Sequence, residues 1–237
     1  AAGAAQAAAA ADEPGAAQSA ARAKRARKAV LDATDVRGAA AFEGSLDGQG
    51  SEVRYDPRFI HSADARKTFV ELRGAIAWEQ GHVKLFGKEL PEPRLTCYYG
   101  DAGLEYTYTG RTVRPRPWAE CPVVQRIRRL VEAATGESFN TVLCNRYRSG
   151  DDTVGWHADD EPVYGPTPTI VSVSFGAERD FDMRKKSEPG TKLRVALKPG
   201  SLLVMRGQTQ RRWQHCLPRR RRVGEERINL TFRRILR

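Results

Sequence analysis

The chain has 237 residues, with 40 Lys and Arg against 29 Asp and Glu, a formal net charge of +11. That length suffices for one large domain with its own core, and the charge favours a polyanionic partner, since each cation that neutralises a phosphate releases counterions; a generic basic surface fits the same number. There is no apolar run near the roughly 20 residues of a membrane span, no visible secretory signal, no repeat of solenoid period and, among Cys97, Cys121, Cys144 and Cys216, no C-x-x-C pair, which argues against a membrane protein, a zinc ribbon and a disulfide framework, and for a reducing compartment.

Residues 1–50 stand apart. Residues 1–11 are nearly all alanine, 22–28 are a basic run, and glycine and acidic residues follow. Without large apolar residues this segment is expected to be a disordered or transiently helical low-complexity tail. The basic run fits a nuclear localisation signal or a nucleic-acid arm; an Ala-rich, Arg-containing N-terminus also fits an organelle transit peptide, against which Asp12 and Glu13 count. We read the compartment as the nucleus.

Residues 51–237 are expected to form the folded domain. Phe69, Leu72 and Ile76 give a helical stripe over 63–78, and Val124, Ile127, Leu130 and Val131 another over 122–134. Between them, Tyr98, Tyr99, Tyr106 and Tyr108 interleave with Arg94, Arg111 and Arg114, the mixture needed to stack bases and hold a phosphate backbone; a tyrosine-rich hairpin in a core has the same look. Short runs over 138–145, 169–175, 180–183, 192–197, 201–205 and 227–232 then read as strands separated by Gly and Pro. The fold class is α+β, dominated by β: a double-stranded β-helix, or cupin-like jelly roll, with helices buttressing one sheet.

His157-Ala158-Asp159, followed much later by His215, carries the chemistry. Two imidazoles and a carboxylate on one metal form the facial triad of non-heme Fe(II) oxygenases, which leaves positions open for co-substrate and oxygen. On a strand, residues i and i+2 share a face, so His157 and Asp159 are expected side by side, with His215 supplied by a distant strand. In Arg227-Ile228-Asn229-Leu230-Thr231-Phe232-Arg233 the polar residues share one face and the apolar ones the other. Two guanidiniums facing a barrel interior imply a buried anion, and a dicarboxylate such as 2-oxoglutarate fits; an amphipathic edge strand with solvated arginines is the plainer alternative. Trp156 and Trp213, each near a ligand, are expected to shield and orient the metal site. Arg219 to Arg222 follow His215 closely, as a phosphate-tracking loop or a solvated turn.

Asn145-Arg146-Tyr147, His157-x-Asp159-Asp160-Glu161, the run Ser172 to Ala177, His215-Cys216-Leu217-Pro218 and Arg227 to Arg233 occur in the order found in the AlkB family of Fe(II)/2-oxoglutarate dioxygenases, which this chain resembles over about residues 82–237. The resemblance implies oxidative demethylation of alkylated nucleobases such as N1-methyladenine and N3-methylcytosine, with Fe(II) as the catalytic metal, 2-oxoglutarate and O2 consumed, and succinate, CO2 and formaldehyde released. It implies a nucleotide-recognition lid at about 82–118 and a jelly-roll core at about 138–237. By position, His157, Asp159 and His215 hold iron; Asn145, Tyr147, Arg227, Asn229 and Arg233 hold 2-oxoglutarate; and Phe86, Arg94, Tyr106, Tyr108, Asp160 and Glu161 meet the substrate. Among these, Tyr108 stacks the flipped base against His157, Asp160 accepts from its exocyclic amino group, and Phe86 fills the gap the base leaves in a duplex.

Residues 99–107 and Leu85-Phe86-Gly87 resemble AlkB homologue 2, whereas 156–162 and 183–186 resemble homologue 3. Single-stranded and double-stranded methylated DNA are therefore both candidate partners, with RNA a further one, and the protein is expected to act as a monomer. A nucleic-acid-binding jelly roll without demethylase activity, or a dioxygenase of protein or small molecules, fits the same pattern.

Overall fold

The computed structural model describes residues 41–85, 88–108 and 111–236. In chain order the elements are β1 (Phe42–Ser45), β2 (Ser51–Asp56), α1 (Ser62–Ala75), β3 (Glu79–Leu85), β4 (Lys88–Gly100), β5 (Tyr106–Tyr108), β6 (Arg111–Val113), β7 (Arg116–Pro117), α2 (Pro122–Thr135), β8 (Thr141–Tyr147), β9 (Val154–His157), β10 (Ile170–Gly176), β11 (Arg179–Lys185), β12 (Lys192–Leu197), β13 (Leu202–Gly207), α3 (Thr209–Arg212), β14 (Trp213–Leu217) and β15 (Arg227–Arg233).

A large sheet runs β1-β2-β13-β10-β15-β8-β4-β3, with β7 added to β4, and a small sheet runs β12-β11-β14-β9. This is the expected jelly roll. Side-chain alternation explains its layers. From β8, β10 and β15, Val142, Cys144, Val171, Val173, Phe175, Ile228, Leu230 and Phe232 face outward and pack with Leu72, Val124, Ile127 and Val131 of the two helices. The opposite face of the large sheet packs through Tyr55, Ile170, Leu203 and Met205 against Phe181, Met183, Val195 and Trp213 of the small sheet. The inward positions of β8 and β15, Leu143 apart, are instead polar, and there the two sheets leave room for a ligand.

Several boundaries differ from expectation. Residues 42–45, assigned to the tail, form the edge strand β1 on β2. What orders this hairpin is a polar turn: Asp47 accepts from the Gln49 and Ser51 amides at 2.9 and 3.3 Å and from Arg212 Nε and Trp213 Nε1 at 2.9 and 3.2 Å. Burial works against the Asp47 carboxylate, yet these donors hold it below its usual range. Helix α1 stops at Ala75 because Ile76 is already extended. In α2, Pro122 starts the helix and Gly136 ends it in the left-handed region at φ 72°, as Pro at the first position and Gly at the last favour; Leu130, expected on its apolar side, is exposed. The long hairpin β3–β4 pairs Leu85 with Lys88, so Phe86 lies outside the described residues.

Candidate active site

His157 ends β9, and β14 pairs beside it with His215 directly opposite. Cross-strand partners share a face, and the two rings meet edge to face at 4.2 Å. Asp159 lies beyond the end of β9, which corrects the expectation of a continuous strand through the motif. Lacking a ladder partner, its amide donates to Gln210 Oε1 at 3.0 Å, and this turn swings the carboxylate toward the histidines. One ligand atom from each of the three residues lies within 4.8 Å of the others.

The donors suit a divalent ion. His157 Nδ1 is 2.9 Å from the Gly155 carbonyl; a carbonyl only accepts, so Nδ1 is the donor there and Nε2 is the nitrogen left for a metal. Burial first, and then the charge of His157, push the His215 pKa down to about 3, so its imidazole is neutral at physiological pH. For Asp159 burial opposes ionisation, but Arg233 and the two histidines outweigh it and bring the pKa to about 2. Asp159 Oδ1 accepts from Arg233 Nη2 at 2.8 Å, while Oδ2 is buried with no hydrogen-bond partner among the described residues. A buried, ionised oxygen left unused is costly unless something cationic fills the place. Phe181 stacks on His215 at 5.1 Å and shields it.

The triad faces a pocket that is also lined by Asn145, Tyr147, Arg227, Asn229, Thr231 and Arg233, among others. Register explains the set: β15 pairs β8 with Arg227 opposite Tyr147 and Asn229 opposite Asn145. Arg227 is 2 % exposed, donates to Ser174 Oγ at 2.9 Å, and has no carboxylate partner among the described residues. Burial drags its pKa down to about 10, with Tyr147 opposing. An unneutralised buried cation is a site for an anion. Arg233 differs, since its guanidinium faces Asp159 and couples the anion pocket to the metal ligand set. Asn229 uses its amide within the wall: Nδ2 donates to Ser172 Oγ at 2.7 Å and Oδ1 accepts from Thr231 at 2.9 Å.

The expected substrate residues are placed as follows. Arg94 is buried in the same pocket, donating to Asn145 Oδ1 at 2.8 Å and pairing with Glu92 at 3.3 Å; this corrects its assignment to a nucleic-acid backbone, because a guanidinium so enclosed cannot reach a phosphate outside. Tyr99 belongs to the core beneath the helices. Tyr106 and Tyr108 lie on β5, paired with Val113 and Arg111 of β6. Asp160 is half-exposed and holds Lys186 Nζ at 2.8 Å. Glu161, next to it, precedes a short 3-10 turn. Trp156 lies beneath the Arg184 guanidinium at 4.2 Å, and Trp213 binds Asp47 inside the core between the sheets. In the basic loop, Arg219 pairs with Asp151 and Arg220 with Asp180, while Arg221 and Arg222 are exposed. All four cysteines are buried thiols; burial raises Cys216 to about 11, and the group of ligand atoms formed by His157, Asp159 and His215 does not include it. Two positioning residues gave no sequence signal: Gln210, and the buried Arg179.

Residues 52–233 match the 2OG-Fe(II) oxygenase superfamily. The chain is 46% identical over 201 residues to the DNA oxidative demethylase ALKBH2 of Mus musculus, covering 81% of this chain and 83% of that protein. It is 41% identical over 202 residues to the alpha-ketoglutarate-dependent dioxygenase alkB homolog 3 of Bos taurus, covering 81% and 69%, and 39% identical over 213 residues to the DNA oxidative demethylase ALKBH2 of Arabidopsis thaliana, covering 80% and 68%. With its triad and anion pocket, the chain belongs to the 2OG-Fe(II) oxygenase superfamily and, within it, to the AlkB dioxygenases, enzymes that use Fe(II), 2-oxoglutarate and O2.

Proposed function

We propose that this protein removes N-methyl groups oxidatively from alkylated nucleobases, N1-methyladenine and N3-methylcytosine above all, in methylated DNA. The observation that carries this is the ionised Asp159 Oδ2, buried without a hydrogen-bond partner among the described residues, grouped with the ligand atoms of His157 and His215, in a pocket that the unneutralised Arg227 also lines. Relatives named as DNA oxidative demethylases support the substrate class.

His157 Nε2, His215 and Asp159 Oδ2 would hold Fe(II), which with 2-oxoglutarate and O2 supplies hydroxylation of a C–H bond coupled to loss of CO2. Arg227, with Tyr147 and Ser174, would take the distal carboxylate through charge-assisted hydrogen bonds. Arg233 holds Asp159 Oδ1 and so leaves one carboxylate oxygen for the metal. Gln210 and Gly155 fix the two neighbouring ligands by their backbone and ring hydrogen bonds. A hydroxylated N-methyl group is a hemiaminal, and it releases formaldehyde. The exposed Asp160 carboxylate would accept from the exocyclic amino group and favour the cationic methylated base over the neutral one.

The charge of +11 supports a nucleic-acid surface. We take the substrate to be single- or double-stranded DNA, with RNA a further substrate, and the working species to be a monomer. The test is formaldehyde release from matched oligonucleotides carrying each lesion in single-stranded DNA, duplex DNA and RNA. Conversion of at least one supports the proposal; oligonucleotide binding with no conversion of any, by iron-loaded protein that still decarboxylates 2-oxoglutarate, refutes it. Phe86→Ala is expected to harm duplex repair more than single-strand repair, and equal rates would remove the wedge role.

A further inference from the structure

Arg179 opens β11 and is 2 % exposed, yet no carboxylate pairs with it among the described residues. Its guanidinium is spent on backbone carbonyls. Nη1 donates to Ser149 O at 3.0 Å, and Nη2 to Asp152 O at 3.0 Å and Pro218 O at 2.8 Å. Ser149 and Asp152 lie just after β8, which ends in Tyr147; Pro218 lies just after β14, which carries His215. One side chain therefore ties together the ends of the strand that lines the anion pocket and the strand that supplies a metal ligand.

Its charge matters as well as its reach. Arg179 and Arg227 both lie against the Tyr147 ring, with guanidinium carbons 5.9 and 5.2 Å from its centroid. The carboxylates near the clamp are committed elsewhere, Asp152 to Arg148 and Asp180 to Arg220. Asp152, although held by Arg148, still acts electrostatically on Arg179, but no carboxylate pairs directly with either of the two buried cations that flank the phenol among the described residues. If holding the loops were the whole role, a neutral donor would avoid the desolvation cost of a second charge. Carbonyl oxygens take the Nη donors of Arg179, its Nε is buried with no hydrogen-bond partner among the described residues, and none of these neutral acceptors cancels the net charge that acts across the ring.

We infer that Arg179 is a positioning residue for the co-substrate: it fixes Tyr147 and adds positive potential at the Arg227 end of the pocket, so that it sets the affinity for the distal carboxylate of 2-oxoglutarate. This rests on the proposed seating of that carboxylate at Arg227.

The test is calorimetric binding to Mn(II)-loaded full-length protein without turnover, comparing 2-oxoglutarate with 2-oxopentanoate, in which a methyl group replaces the distal carboxylate. Arg179→Gln is expected to weaken 2-oxoglutarate about tenfold while changing 2-oxopentanoate by less than about twofold. Equal losses for both acids overturn the inference, because a purely structural role would not distinguish them. Arg179→Lys keeps the charge and gives up the fork. It is expected to bind 2-oxoglutarate with an intermediate affinity and to keep the discrimination, and it carries the test if the Gln variant does not fold. Arg227→Met separates the two claims: if it leaves 2-oxoglutarate binding intact, the seating at Arg227 fails; if it weakens binding and Arg179→Gln does not, the inference about Arg179 alone fails.

Discussion

Replacing Arg227 by Met should make the protein more stable and worse at holding its co-substrate. The guanidinium is almost fully buried, has one side-chain hydrogen bond to Ser174 and a contact with Tyr147, and has no acid beside it. Burial lowers its pKa to about 10, which corresponds to about 3 kcal/mol spent on keeping the charge inside. Met fills a similar volume without that cost and forfeits about 1 kcal/mol of hydrogen bonding to Ser174. The balance favours the variant by about 2 kcal/mol, or a Tm rise of about 4–8 °C for a domain of this size. A bound carboxylate reverses the sign, since truncating one side of a buried charged pair costs about 2–5 kcal/mol. A loss near 3 kcal/mol means a Kd for 2-oxoglutarate raised about a hundredfold or more. Differential scanning calorimetry without ligand and titration calorimetry with Mn(II) and 2-oxoglutarate read the two halves. A variant that melts lower and binds as tightly as the parent would refute the assignment of Arg227 as an anion seat.

Three further outcomes are expected. Asp159→Asn removes both the free Oδ2 charge and the partner of Arg233, so Mn(II) affinity by electron paramagnetic resonance should fall at least about a hundredfold and stability by about 2–3 kcal/mol; retained Mn(II) binding would take Asp159 out of the metal site. Gln210→Ala frees the Asp159 amide and should weaken Mn(II) about tenfold or more with a stability loss of about 1–3 kcal/mol, whereas loss of stability alone would make Gln210 a packing residue. At Gly150 an added methyl would lie 1.7 Å from the Arg220 carbonyl oxygen, so Gly150→Ala should force the two loops apart and cost about 2 kcal/mol or more in urea unfolding; an unchanged midpoint would mean that this loop contact yields easily.

The jelly roll was legible because its central strands are buried on two unlike faces. In β15, Ile228, Leu230 and Phe232 meet the helices while Arg227, Asn229, Thr231 and Arg233 meet the pocket, and a period of two written in such different residues survives without any alignment. β8 reads the same way through Asn145 and Tyr147. The edge strand β1 was not legible: its composition matches the tail before it, and its order comes from Asp47 reaching Arg212 and Trp213 across more than 160 positions of sequence. Leu130 misled for the opposite reason, since a helix stripe drawn wide enough to include it exceeds the face that the sheet covers.

At the metal site, residue identity was legible and geometry was not. His-x-Asp names the ligands whatever the backbone does, but strand periodicity wrongly carried β9 through Asp159. The chain instead leaves the sheet after His157, and the third ligand is held from outside by Gln210 on a four-residue helix. Nothing in the sequence marks Gln210, because its contribution is one carbonyl oxygen delivered to a backbone amide 51 positions away. Arg179 is hidden likewise: a cation among forty Lys and Arg looks like surface charge until the fold wraps backbone carbonyls around it. Buried cations of this kind become visible only when their donors can be counted against acceptors. That count is what separates Arg227, whose charge still awaits an acid, from Arg233, whose charge already holds Asp159 in place.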